Sequence, residues 1–246
     1  MKAFAWLFVA SCPLWASAQQ PTFPLPPAEW PKPVHDTPAI PFVLLDRLEW
    51  REGRDASSIL WDVQGWWGGD NHKLWLKAEG EKERGGRTEE SSIDVLYARR
   101  LTPFWFLQAG ARTEERPGPR RTGAVIGIQG LAPYWFDVEA DALIRSNGAV
   151  QLRLEGESDI FLGQRLILQP RAELRAASKR DPEREFGRGF TNAEVGVRLR
   201  YEIRREFAPY IGVSWTRALG ETADFARASG RRVSEPAAVI GVRIWY

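Results

Sequence analysis

The sequence predicts an all-β protein, a transmembrane antiparallel up-and-down β-barrel of about twelve strands. Three observations predict it. The chain opens on an export signal yet holds no apolar run long enough to span a bilayer as a helix, its apolar residues alternate with charged ones at period two, and its turn residues mark short and long connections in alternation.

Lys2 is followed by the apolar run Ala3 to Ala10 and then by Ala16-Ser17-Ala18 ahead of Gln19-Gln20, the pattern of a secretory signal peptide over residues 1–18, cleaved after Ala18. Val9-Ala10-Ser11-Cys12 also has the form of a lipoprotein processing site, which would leave Cys12 lipidated instead. Cleavage after Ala18 removes the one Cys, Cys12, and the one Met, Met1. Disulfides, thiolate metal ligands and cysteine nucleophiles are then excluded. Residues 19–42 carry prolines at 21, 24, 26, 27, 31, 33, 38 and 41, too dense for a helix or a central strand, and read as an extended Pro-rich periplasmic segment. The barrel is expected over 43–246.

Lys and Arg number 34 against 32 Asp and Glu, so no field steers the chain toward nucleic acid. Twelve Trp in a chain that is 27% charged need an amphipathic setting, and aromatic girdles at membrane interfaces supply one. With no apolar stretch of about 18 residues, a closed barrel is the structure that could satisfy every backbone group in hydrocarbon.

Period two is clearest at the C-terminus, where Ala238, Ile240, Val242, Ile244 and Tyr246 oppose Gly241, Arg243 and Trp245. It recurs in Val150, Leu152 and Leu154 against Gln151, Arg153, Glu155 and Glu157, and in Ala193, Val195, Val197, Leu199 and Tyr201 against Glu194, Arg198, Arg200 and Glu202. Alternation alone leaves open a soluble sandwich, whose apolar face is core, and a barrel, whose apolar face meets lipid. Turn spacing separates them. Short turns are expected at Gly69-Asp70-Asn71, Thr102-Pro103, Ala132-Pro133, Gly163-Gln164 and Phe207-Ala208-Pro209, and longer ones at Arg54-Asp55, Arg84-Gly85-Gly86, Pro117-Gly118-Pro119, Ser146-Asn147-Gly148, Lys179 to Pro182 and Ala226 to Arg231. Eleven connections join twelve strands, with both ends periplasmic. Leu101-Thr-Pro-Phe-Trp105, Leu131-Ala-Pro-Tyr-Trp135 and Phe207-Ala-Pro-Tyr-Ile211 repeat a Pro-aromatic turn on that side. Pro170, inside the alternating run Leu166 to Leu174, predicts a bulge or local break.

The run Trp61 to Asp70, continued by Lys73 to Lys77 and Glu79-Gly-Glu81, resembles the most characteristic segment of the outer-membrane copper resistance protein B family. The likeness extends through Gly127 to Tyr134, Arg165 to Glu173 and Arg198 to Tyr210, and covers about Ile40 to Tyr246. It implies an outer-membrane barrel of Gram-negative bacteria that acts in copper tolerance, binding copper or passing it across the outer membrane. Its implied partners are the lipid bilayer, copper ions and periplasmic copper-handling proteins, with copper not needed for the fold. Many members carry a Met- and His-rich segment ahead of the barrel. Here that stretch is Pro-rich with one histidine, so no thioether store for Cu(I) is expected.

Metal ligands must then be imidazole and carboxylate. His35 beside Asp36, and His72 beside Asp70, would share the periplasmic side and form the candidate metal site. Parity turns Asp62, Gln64, Lys73, Lys77, Glu79, Glu81, Asp137, Glu139, Asp141, Arg171, Glu173, Arg175, Arg198, Arg200 and Glu202 inward. Asp62, Glu79 and Glu81, on adjacent strands, are the expected stepping stones for a cation. Paired Arg and Glu could equally fill the interior and hold the barrel's shape. An enzymatic reading lacks a histidine at the outer rim for a Ser-His pair and lacks phosphate-loop, zinc-protease and dinucleotide motifs, so no enzyme is expected. A barrel of other specificity, a closed structural barrel, or one whose loops at Glu114 to Arg121 and Ala226 to Arg232 bind a partner, are the alternatives.

Overall fold

A computed structural model describes residues 38–54, 56–84, 88–115 and 120–246. The expected signal peptide, Cys12 and most of the Pro-rich segment, His35 and Asp36 included, lie outside the described residues. The strands are β1 (Ile40–Glu52), β2 (Ser57–Gly68), β3 (His72–Glu83), β4 (Thr88–Thr102), β5 (Trp105–Glu115), β6 (Arg121–Ala132), β7 (Phe136–Arg145), β8 (Val150–Ser158), β9 (Ile160–Phe161), β10 (Leu166–Ala177), β11 (Gly189–Tyr201), β12 (Phe207–Ala218) and β13 (Ser234–Trp245), and one helix, α1 (Gly220–Ala228), lies between the last two. Each strand runs antiparallel to its neighbours, and β13 pairs with β1, with Trp50 opposite Ile240 and Glu52 opposite Ala238. The sheet is therefore closed and has no edge. Strand β1 takes in Ile40 to Phe42, ahead of the boundary placed after residue 42.

Segments β8 and β9 are one stave interrupted at Asp159, which makes the barrel twelve-stranded. The interruption traces to the neighbouring proline. Strand β10 pairs with Glu157 through Arg171 and with Ile160 through Leu168, one continuous register from which only the positions next to Pro170 drop out. On its other side Pro170 pairs in step with Val197. A ring nitrogen cannot donate to the ladder, so the pairing opens on one side without any shift of register. A true bulge sits in β1, where the register with β2 skips Asp46 between Leu45 and Arg47.

One expected turn moves. Arg204 and Phe207 exchange backbone hydrogen bonds at 3.2 Å each way, which puts Arg205-Glu206 at the tip. Ala208 and Pro209 instead lie inside β12, opposite Arg243 and Val242. The expected loop from Ala226 to Arg231 holds the end of α1.

The outer face is apolar along every stave: Leu74 and Leu76, Ile93 and Val95, Leu152 and Leu154, Ile211 and Val213, and Ile240 all point away from the lumen. Near the short-turn end it ends in exposed aromatics, among them Trp67, Phe104, Tyr134, Trp135, Phe161 and Tyr201, the amphipathic rings that a headgroup layer accommodates. Short turns and both strand termini share that end, which is the periplasmic one by the usual disposition of such barrels. Val213 lies at mid-stave with 61% of its surface outside the protein. Val213→Arg should therefore cost about 2–4 kcal/mol in guanidinium unfolding from lipid vesicles, read by tryptophan fluorescence. A loss below about 1 kcal/mol would mean that this face does not meet hydrocarbon.

Candidate functional site

Alternation sends every second side chain inward, and register decides which inward charges meet. Across β7, β8, β10 and β11, Glu139 lies opposite Glu155, Glu155 opposite Glu173, and Glu173 opposite Glu194. Four directly facing carboxylates would repel one another. Cations from neighbouring rows lie between them. Arg153 and Lys77 reach Glu139 at 2.9 and 2.6 Å, Arg171 holds Glu155 at 2.7 and 2.5 Å and Glu173 at 3.2 Å, Arg175 also binds Glu173, and Arg51 binds Glu194 at 2.9 Å. The row is held by guanidinium forks that accept the planar geometry of two carboxylates at once.

Other pairs cross the lumen. Arg153 of β8 reaches Glu79 of β3 at 2.7 Å, and Arg175 of β10 reaches Glu90 of β4 at 3.2 Å. These partners lie five staves apart in a twelve-stave barrel, so the side chains act as struts across its width. Glu49, fully buried, accepts from Arg198 at 2.5 Å, from Arg51 at 3.0 Å and from the Tyr210 hydroxyl at 3.1 Å. Glycine makes that convergence sterically feasible. A Cβ on Gly241 would stand 2.6 Å from the Tyr210 ring, and one on Gly212 would stand 3.0 Å from Cα of Arg198. An apolar row of Trp75, Leu96, Val125 and Leu143, with Trp66 and Phe106 against it, packs the opposite wall. Toward the long-loop end the interior holds a recess lined by Glu79, Glu90, Arg112, Asp141, Arg153 and Phe186, among others.

The structure places the sequence-derived candidates as follows. Asp62 and Glu79 face each other across β2 and β3, with Arg47 on Asp62 at 2.8 Å, while Ser58 donates to Glu81 at 2.5 Å. Asp141 takes Arg153 at 2.9 Å and Arg112 at 3.2 Å. Arg198 meets Glu49, and Arg200 meets Asp159 at 2.5 Å. Asp137 lies opposite Glu157 near the periplasmic end, and among the described residues neither has a cation within ion-pair distance. Asp70 is exposed in the first periplasmic turn. His72 shares the outward parity of Leu74, and its Nδ1 lies 2.5 Å from the Tyr97 hydroxyl with the rings stacked, so it stands on the outer rim and not in the lumen. Among the described residues no three His, Cys, Asp or Glu side chains converge as metal ligands. The inward trio Arg47, Glu49 and Arg51 was not singled out from the sequence, although its alternation with Leu48 and Trp50 was there to be seen. Arg184, carried by a loop, had no periodic signal at all.

Comparison with known proteins extends this picture. A family model described as copper resistance protein B precursor matches residues 39–246. Copper resistance protein B of Escherichia coli is 45% identical over 213 residues, 87% of this chain and 72% of that protein. A copper resistance protein B homolog of Pseudomonas syringae pv. tomato is 43% identical over the same shares. The solved NanC porin superposes with a TM-score of 0.55 at 18% identity, covering 83% of this chain and 99% of the porin, a likeness of fold. Family and barrel together describe a non-enzymatic protein of the outer membrane.

The Glu49 cluster separates buried from exposed ion pairs. Glu49→Leu strands the buried Arg198, while Arg51 keeps Glu194, and should lower stability by about 3–5 kcal/mol in the same unfolding assay. Arg227→Ala, which removes the exposed pair of Arg227 with Asp224, should leave the midpoint unchanged.

Proposed function

The chain belongs to the copper resistance protein B family, and from that premise we propose that it passes copper ions across the outer membrane along its charged lumen. The observation that carries this reading is the facing carboxylate pair Asp137 and Glu157, which lies near the periplasmic end without a cation of its own among the described residues. From there the facing pair Asp62 and Glu79 and then the recess at Glu90 and Asp141 offer successive oxygen donors. Each of these deeper carboxylates is held by a guanidinium, which would have to swing aside for an incoming ion while staying charged and tethered in the lumen. Carboxylate oxygens suit Cu(II) better than Cu(I), which prefers thioethers and thiolates. At the periplasmic rim, Asp70 and His72 are the proposed surface for exchange with a periplasmic copper-handling protein, and His35 and Asp36 of the preceding segment are proposed as metal ligands in their own right. The imidazole Nε2 of His72 would serve there, since its Nδ1 is engaged by Tyr97.

Asp137→Asn with Glu157→Gln breaks no observed ion pair and should leave folding intact. Copper(II) flux into chelator-loaded liposomes should fall several-fold relative to the unaltered protein. Unchanged flux would sink the carboxylate route, and no flux from either protein would favour a closed structural barrel.

A further inference from the structure

We infer that the segment from Ser178 to Arg188, backed by α1, is a lid held shut over the extracellular mouth by an ionic latch. The inference rests on the reading of the lumen as a passage and adds its control point.

The segment leaves β10 and returns into β11, yet its tip bonds to β5, β6 and β7, on the far side of β8. Arg121 of β6 donates to Asp181 and to Glu183 at 2.5 Å each, and Arg145 of β7 lies 3.7 Å from Asp181. Arg184 points inward with 1% of its side chain exposed and meets Glu114 of β5 at 3.1 Å, a carboxylate that Arg145 also binds. The connection therefore runs across the opening. Phe186 lines the recess beneath, beside Arg153 and Arg175, so it forms part of the roof over the cross-lumen struts.

The lid is shaped as a unit. Asp181 and Phe186 exchange backbone hydrogen bonds at 2.9 and 3.0 Å around a single 3-10 turn, Pro182–Arg184. Behind it, α1 supplies the Thr222 hydroxyl to the Gly187 amide and the Glu221 carboxylate to the Arg188 amide, both at 3.0 Å. Ser229 and Arg231 bind Glu185, and the Arg180 guanidinium lies 4.7 Å over the Phe225 ring. Contacts to α1 rigidify the segment, while contacts to the far wall are largely charge pairs. Such a joint releases as a body once its ion pairs to β5, β6 and β7 break and Lys179 leaves the Asn147 carbonyl, hinged at Ser178, which stays bonded to Val150 of β8. The latch sits at the mouth, where its wall partners stand on three different staves, so movement of the lid alone would open the recess to the outside.

The test is potassium conductance of the full chain in planar bilayers. Arg121→Glu repels Asp181 and Glu183 and should raise mean conductance several-fold, and adding Glu183→Arg should bring it back toward the original value. Replacing residues 180–187 by a short Gly-Ser linker should give the highest conductance. Arg227→Ala, on an exposed position of α1, should change nothing. Each protein is first shown to be folded by its heat-dependent mobility on a gel. Equal, measurable conductance in all of them would overturn the lid and leave the passage standing. No conductance in any, the linker variant included, would overturn the passage and the lid with it.

Discussion

Closure of the sheet on itself is the constraint from which the rest of this structure follows. In hydrocarbon an unpaired amide or carbonyl has no water to turn to, and each would cost several kcal/mol. Pairing of β13 with β1 removes the edge, and with it the obstacle to placing an apolar outer face in a bilayer. Closure also fixes the circumference, so the inward side chains of twelve staves share one confined volume. The Asp46 bulge in β1 lies next to the seam, where the register shifts by one residue.

Confinement explains why the interior is dense with charge and yet stable. A barrel of this size has room for side chains but not for a wide aqueous pore. Opposite charges are drawn into contact because solvent is scarce there and the wall cannot widen to separate them. Arginine dominates the cations, since one planar fork can serve several carboxylates on different staves, as Arg153 does for Glu79, Glu139 and Asp141. The same density leaves little free space, because fixed ion pairs bridge the lumen from wall to wall.

The two ends of the barrel differ in kind. The periplasmic end has tight turns, exposed aromatics and the facing acids Asp137 and Glu157. The extracellular end gathers Arg121, Arg145, Glu114 and the loop tip into a closed knot.

Sequence alone determined the staves and the facing of their side chains. Period two is a local property of extended chain, so Leu152 and Leu154 outward, and Arg153 and Glu155 inward, could be read without knowing any neighbour. Turn chemistry was equally local, which is why the count of twelve was legible while the Phe207-Ala-Pro turn was misplaced by a few residues. The effect of Pro170 was visible as a disturbance but not as a one-sided opening, because the lost hydrogen bond belongs to a partner strand. What only the tertiary structure decided is which charges meet. The struts from Arg153 to Glu79 and from Arg175 to Glu90 join residues 74 and 85 positions apart, and the outward placement of His72 beside Tyr97 depends on the register of β3 with β4. Register and barrel closure are collective, set by all the staves together, so no short stretch of sequence encodes them.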